Sequence, residues 1–219
     1  MLSEDAQWML NRRSLNIDLS ARCPLECPRC QRQFAFRDQG KRVPGRDITM
    51  DEIKKAAKFY NYFNFCGQLS DAVHHPQFIE ILEFCRDNKV GVEIHNASST
   101  KSKEWYIKAF KANRFARWVF GIDGLPEQSH LYRKNQDGIK LFEMMLLAKK
   151  HLKKKPFWQY IIFNYNEDNI EKAKEKARAS GVQMIILNSS RWASLDDPLM
   201  PKKKENIFIR KELYAKAKT

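Results

Sequence analysis

The sequence predicts an α/β domain built on a parallel sheet. Six short runs rich in β-branched and aromatic residues are spaced along 219 residues, at 14–19, 61–66, 90–96, 117–122, 157–163 and 182–188. Amphipathic stretches separate them at about 50–60, 76–88, 102–113, 138–153 and 167–180. Regular β-α alternation implies right-handed crossovers between parallel neighbours. Six such units either curl into a partial barrel or stay open as a doubly wound sheet, and periodicity alone leaves both readings standing.

The elements follow in order. The first run, SLNIDL, leads directly into a cluster of cysteines. ITMDEIKKAAKFY then reads as a helix, with Thr49 as its cap and Ile53, Ala56, Ala57 and Tyr60 at helical spacing. NYFNFC, VGVEIHN, RWVFGI, FWQYIIF and VQMIILN supply the later strands, and Lys153 to Pro156 and Ser180-Gly181 act as helix stops. From about Ser189 the character changes. Arg191-Trp192 and Asp196-Asp197-Pro198 read as loop, and Lys202-Lys203-Lys204 opens a basic tail with a short helix. The organisation expected is a single domain, with a core over 1–190 and a short basic C-terminal extension over 191–219.

Composition narrows the class. Forty Lys and Arg against 26 Asp and Glu give a net charge of +14, which favours polyanionic partners such as RNA. No apolar run approaches the roughly 18 residues of a membrane span. Met1 to Asp5 lacks the basic start and apolar stretch of a signal peptide. A cytoplasmic, reducing location follows, where clustered cysteines bind metal or serve redox chemistry more often than they form disulfides.

Three of the five cysteines, Cys23, Cys27 and Cys30, fall within eight residues as C-x3-C-x2-C. Three thiolates on one irregular loop converge readily on an iron–sulfur cluster, which normally takes four protein ligands. One iron is then left open for a substrate or cofactor. The alternative is a structural zinc site completed by histidine, but no histidine follows Cys30 at short spacing. Cys85, at helical spacing among apolar neighbours, reads as a buried core thiol. Cys66, at a strand end, is a candidate catalytic thiol or a small buried residue.

The cysteine segment resembles the signature of the radical S-adenosylmethionine (radical SAM) superfamily. That resemblance implies a [4Fe-4S] cluster on Cys23, Cys27 and Cys30, with SAM on the open iron. It also implies a partial (β/α)6 TIM-like barrel, whose functional residues sit after the C-terminal strand ends. Arg29 stands where the family usually has an aromatic residue. After the second strand, Gly67, Gln68 and Asp71, followed by His75-Pro76, are similar to the family's glycine-rich acidic turn and imply contacts to the SAM ammonium. Asn96 and Ser98 match ribose-binding positions, or else cap and turn residues. Ile122-Asp123-Gly124 and Tyr132-Arg133 look like the Ser-Ile-Asp-Gly…Tyr-Arg pattern of the peptide-modifying branch. Asp123 and Arg133 are then cofactor-binding, with Arg133 on the methionyl carboxylate, although a solvent-facing Arg133 is the bland alternative. The match covers most of residues 14–190.

The function this implies is reductive cleavage of SAM to a radical that modifies a peptide or protein, with electrons from an external donor. No cysteine follows Cys85, so a minimal core without an auxiliary-cluster domain is expected. Two rivals stand beside it. One is methylthiotransferase-type sulfur insertion on a ribosomal protein or tRNA, consistent with the charge. The other is a non-enzymatic zinc-containing RNA-binding protein.

Overall fold

The computed structural model describes residues 11–40, 45–189 and 191–209. Its strands are β1 (Ser14–Asn16), β2 (Tyr62–Phe65), β3 (Gly91–Asn96), β4 (Arg117–Gly121), β5 (Phe157–Ile162) and β6 (Gln183–Asn188). They form one sheet in the order β1 to β6, each parallel to the next. A doubly wound sheet reverses its order at a switch point, and none is present here. The sheet is a six-stranded partial barrel with β1 and β6 as its edges.

The helices are α1 (Gln31–Gln39), α2 (Met50–Ala57), α3 (Phe78–Asp87), α4 (Lys103–Ala112), α5 (Gly138–His151) and α6 (Ile170–Ser180). Strand alternation sorts the two faces of the sheet. Phe63, Phe65, Ile94, Trp118, Phe120, Trp158 and Tyr160 are buried in one core together with the apolar faces of the helices. Each fully buried Phe or Ile contributes about 1.5–3 kcal/mol. Phe110 of α4 meets Trp118 edge-on at 4.9 Å, and Cys85 is fully buried in the same core, as expected. The opposite face, with Asn64, His95, Val119, Gly121, Gln159 and Ile161, borders a cavity.

Local expectations hold where local chemistry decides. Thr49 Oγ1 accepts from Glu52 N at 3.3 Å, and Glu52 Oε2 accepts from Thr49 N at 2.9 Å, completing a capping box. Two features differ from expectation. β1 ends at Asn16 although Ile17 N still donates to Asn64 O. The chain then turns, because Asp18 Oδ1 accepts from Leu69 N and Ser70 Oγ in the loop after β2. Helix α1 lies where the sequence shows no apolar stripe. It is closed instead by Gly40 at φ +62°, whose N–H donates to Phe36 O.

The described part of the C-terminal segment is packed on the core. Trp192 is buried with Leu25, Cys27, Tyr132 and Phe163, and its Nε1 donates to Phe208 O at 2.9 Å. Lys202 N and Lys203 N donate to the Glu167 carboxylate at 3.0 and 3.1 Å. The basic run ends in one 3-10 turn, Lys204–Asn206. The rest of the expected tail helix, beyond 209, and the signal-peptide reading of Met1 to Asp5 lie outside the described residues. Among the described residues, no helix is long and apolar enough to cross a membrane.

Candidate functional site

The loop between Leu19 and α1 carries the three cysteines and is fastened from several directions. Arg32 Nη2 donates to the carbonyls of Cys23 and Leu25 at 2.6 and 2.8 Å. Asp71 N donates to Arg22 O at 3.0 Å, and Glu26 N to Lys134 O at 3.2 Å. A turn closes the loop, with Cys30 N donating to Cys27 O at 3.0 Å. Loops that follow β2 and β4 thus hold the loop that follows β1.

Cys23, Cys27 and Cys30 line one cavity of about 460 Å³, together with Cys66, Gly67, Gln68, Asp71, Asn96 and Arg133. That volume is within the range of roughly 300–1,000 Å³ typical of small-molecule sites. Burial, and then the nearby Asp71 charge, pushes the Cys23 thiol up to about 12. Burial also raises Cys27, with the Arg133 charge working against it. Thiolate ligation there goes with proton release. Among the described residues, no three His, Cys, Asp or Glu side chains already stand together as a metal-ion ligand set. Three thiols on one pinned loop, lining one cavity, nevertheless match the donor chemistry of an iron–sulfur cluster. A wider surface groove of about 1040 Å³ lies behind the loop, and Cys23 borders both.

Gly67 sits at φ +60°, where a Cβ would stand 2.7 Å from Ser70 O. Glycine is therefore required by the turn itself, independently of any ligand. Asp71 is buried, and its Oδ2 accepts from Ala97 N at 2.8 Å and Ser98 N at 2.7 Å. Its carboxylate ties the loop after β2 to the loop after β3. Asn96 lines the cavity, donates through Nδ2 to Tyr106 Oη at 2.7 Å and accepts from Ser98 N at 3.1 Å. Ser98 is not among the cavity-lining residues. Its Oγ meets His74 Nε2 at 2.8 Å and Thr100 Oγ1 at 3.0 Å. His75 packs, its Nε2 against Ile48 O at 2.8 Å.

Asp123 is fully buried behind the cavity wall, where its Oδ2 accepts from Arg133 Nε at 2.7 Å and its Oδ1 from Ile161 N at 2.8 Å. Arg133 is therefore not a free surface cation. Burial works to lower its pKa, but the charge of Asp123 beside it raises the value overall, so the guanidinium stays ionised. A Cβ at Gly121 would lie 3.0 Å from Arg133 Nη2, so the space left by the missing side chain is occupied by the guanidinium. Cys66 lines the cavity, its thiol raised first by burial and then by Asp18.

Sequence reasoning missed two long-range contributors, and the partner of a third residue that it had singled out. Gln136 Nε2 donates to Ala97 O at 2.6 Å and Gly121 O at 2.9 Å, bridging the ends of β3 and β4. Arg191 Nη2 donates to Gln68 Oε1 at 3.2 Å, joining two cavity-lining residues. Arg29 donates to Asp197. No pattern within their own segments identifies these partners, because each is more than 14 residues away.

No protein-family model matches the sequence, and no curated protein does. Solved structures do match. Streptococcus suis SuiB bound to precursor peptide SuiA aligns with TM-score 0.62 at 10% identity, covering 83% of this chain and 41% of that one. SuiB bound to S-adenosylmethionine aligns with TM-score 0.64 at 10% identity, covering 90% and 46%. Methylornithine synthase (PylB) aligns with TM-score 0.56 at 13% identity, covering 90% and 60%. The chain thus spans about half the length of the structures it matches. The likeness is one of fold: the six parallel strands of this chain, in sequential order, align with the structures of SuiB and methylornithine synthase at TM-scores of 0.56 to 0.64.

Proposed function

We propose that the chain is a radical SAM enzyme acting on a peptide or protein in a reducing, cytoplasmic setting, with an external electron donor. One observation carries the reading. The three-cysteine loop and the loops after β2 to β4 enclose a single cavity at the C-terminal ends of parallel strands, which is where barrels of this kind place their chemistry. Cys23, Cys27 and Cys30 would hold a [4Fe-4S] cluster, and Gly67, Gln68, Asp71, Asn96 and Arg133 would face SAM. When bound, the pair supplies an electron for reductive SAM cleavage and the capacity to take hydrogen from an unactivated carbon.

The chain's own residues would bind and orient. Arg133 is pinned through Nε by Asp123, so its remaining donors are pre-aimed and suit a carboxylate. Ser98 and Asp123 act from behind as positioning residues. Apolar Leu25, Tyr132, Phe163 and Trp192 pack beside the cysteines and keep water from them. The peptide substrate is supported by the likeness to SuiB, which is seen with a precursor peptide. Anaerobic reconstitution tests the reading: a brown protein absorbing near about 400 nm is expected, together with deoxyadenosine formed from SAM under reduction. A colourless protein that takes up zinc and leaves SAM intact would overturn it.

A further inference from the structure

Beneath the residues assigned to cluster and SAM, the cavity has a polar floor with no assigned role. Asn64 of β2 is paired in register with Glu93 of β3, and His95 lies two residues further along the same face of β3. Asn64, His95 and Gln159 all line the cavity. His95 Nε2 lies 2.9 Å from Glu93 Oε1. With Nε2 donating to that carboxylate, the ring's Nδ1 is left as an acceptor.

Glu93 is itself held in place. Its Oε2 accepts from Tyr62 Oη at 3.2 Å and lies 3.2 Å from Arg117 Nε. Burial works to raise its pKa, but the hydrogen bond from His95 and the charge of Arg117 bring it below the usual carboxylate value. The carboxylate therefore fixes one orientation and one tautomer of the imidazole, and Arg117 balances its charge.

Asn64 supplies the second observation. Its Oδ1 is buried and has no hydrogen-bond partner among the described residues. An orphaned buried acceptor costs about 1–3 kcal/mol, and a small turn about the broad terminal torsion of asparagine presents it to the lumen. The Gln159 carboxamide, on β5 across the floor, makes no hydrogen bond to another described residue. The floor thus offers two neutral acceptors and one amide that both donates and accepts, with Glu93 already balanced by Arg117. That set matches a neutral amide, which donates through N–H and accepts through C=O, better than it matches an ion.

We propose that Asn64, His95 and Gln159 form a subsite that binds a peptide or carboxamide group of the substrate, with Glu93 as the positioning residue for His95. The proposal rests on reading the cavity as the seat of a peptide substrate, and it places an amide of that substrate at the floor.

The test uses the full chain, 15N-labelled in its histidine rings and titrated anaerobically with N-methylacetamide as the peptide-group probe, before and after cluster reconstitution. The expected result is a saturable shift in one pair of ring nitrogens, identified as His95 by its loss in His95→Gln. Asn64→Leu should weaken the apparent affinity about tenfold, the loss of one buried hydrogen bond. Glu93→Gln should change the tautomer signature of the ring. Should Asn64→Leu fail to fold, Gln159→Leu carries the same comparison from across the floor. A silent His95, unchanged affinity in both variants, or stronger binding of butylammonium than of the amide would overturn the proposal. SAM cleavage without an amide response sinks the subsite alone. An amide response without SAM cleavage sinks the enzymatic reading alone.

Discussion

Arg29 Nε donates to Asp197 Oδ2 at 2.7 Å, joining the residue before Cys30 to a turn 168 residues further along. The Asp197 side chain is fully buried and also accepts from Ala193 N at 2.7 Å and Leu199 N at 3.0 Å. The position where the family resemblance expects an aromatic side chain is here an anchor for the C-terminal segment. Asp197→Ala leaves a mostly buried guanidinium unpaired, which should destabilise the chain by about 3–5 kcal/mol in urea denaturation. Reconstituted iron should also leave the variant faster. Replacing both partners, Arg29→Met with Asp197→Leu, should recover most of the stability. If the single variant is as stable as the parent, the pair is not an anchor.

Arg133 and Asp123 support a second prediction. Arg133→Ala should weaken SAM binding by about 1.5–3 kcal/mol, the range for a hydrogen bond to a charged group. Melting temperature should drop as well, because Asp123 loses its buried countercharge. Iron content should stay at the parent level, since the proposed ligation is by the cysteines alone. Equilibrium dialysis with SAM on reconstituted protein, alongside iron analysis, separates the two effects.

Gly67 makes the third case. At φ +60° an L residue is strained by roughly 1–2 kcal/mol, and a Cβ 2.7 Å from Ser70 O adds a clash with backbone. Gly67→Ala should therefore lower both stability and SAM affinity, and Gly67→Val should lower them further. A Gly67→Ala protein that melts with the parent would show that the turn relaxes freely.

His74 supplies a pH dependence. Burial, and then the charges of Lys101 and Arg22, holds its pKa down to about 4, against about 6.5 in an unfolded chain. Between those values the unfolded state binds the extra proton, so stability falls as pH drops from about 6.5 to about 4. Because the ring is partly exposed, the loss should stay below about 2 kcal/mol after screening. His74→Gln should flatten that part of the stability–pH profile. An unchanged slope would assign the dependence to other groups.

The cysteines separate by role. Cys23→Ala, Cys27→Ala and Cys30→Ala should each abolish iron retention and SAM cleavage, whereas Cys85→Ala, in the helix-side core, should keep both at a modest cost in stability. Deoxyadenosine at the parent rate from the Cys27→Ala protein would refute the cluster assignment.

The six strands with helical segments between them, the Thr49 cap, the burial of Cys85 and the position of the cysteine loop after the first strand were all legible in the sequence. Each is decided by neighbours within a few residues: strand alternation, helical spacing, a hydroxyl three residues from a carboxylate. Helix α1 escaped because QRQFAFRDQ carries no apolar stripe, and its end is marked only by Gly40. Tertiary structure decided the rest. Asp71 reaches the amides of Ala97 and Ser98, Ser98 turns to His74, Arg191 spans to Gln68, and Arg29 finds Asp197. In a parallel barrel, loops distant in sequence meet at the same strand ends. The partner of a polar side chain there is therefore set by the curl and register of the sheet, and nothing in the side chain's own segment encodes which loop arrives beside it.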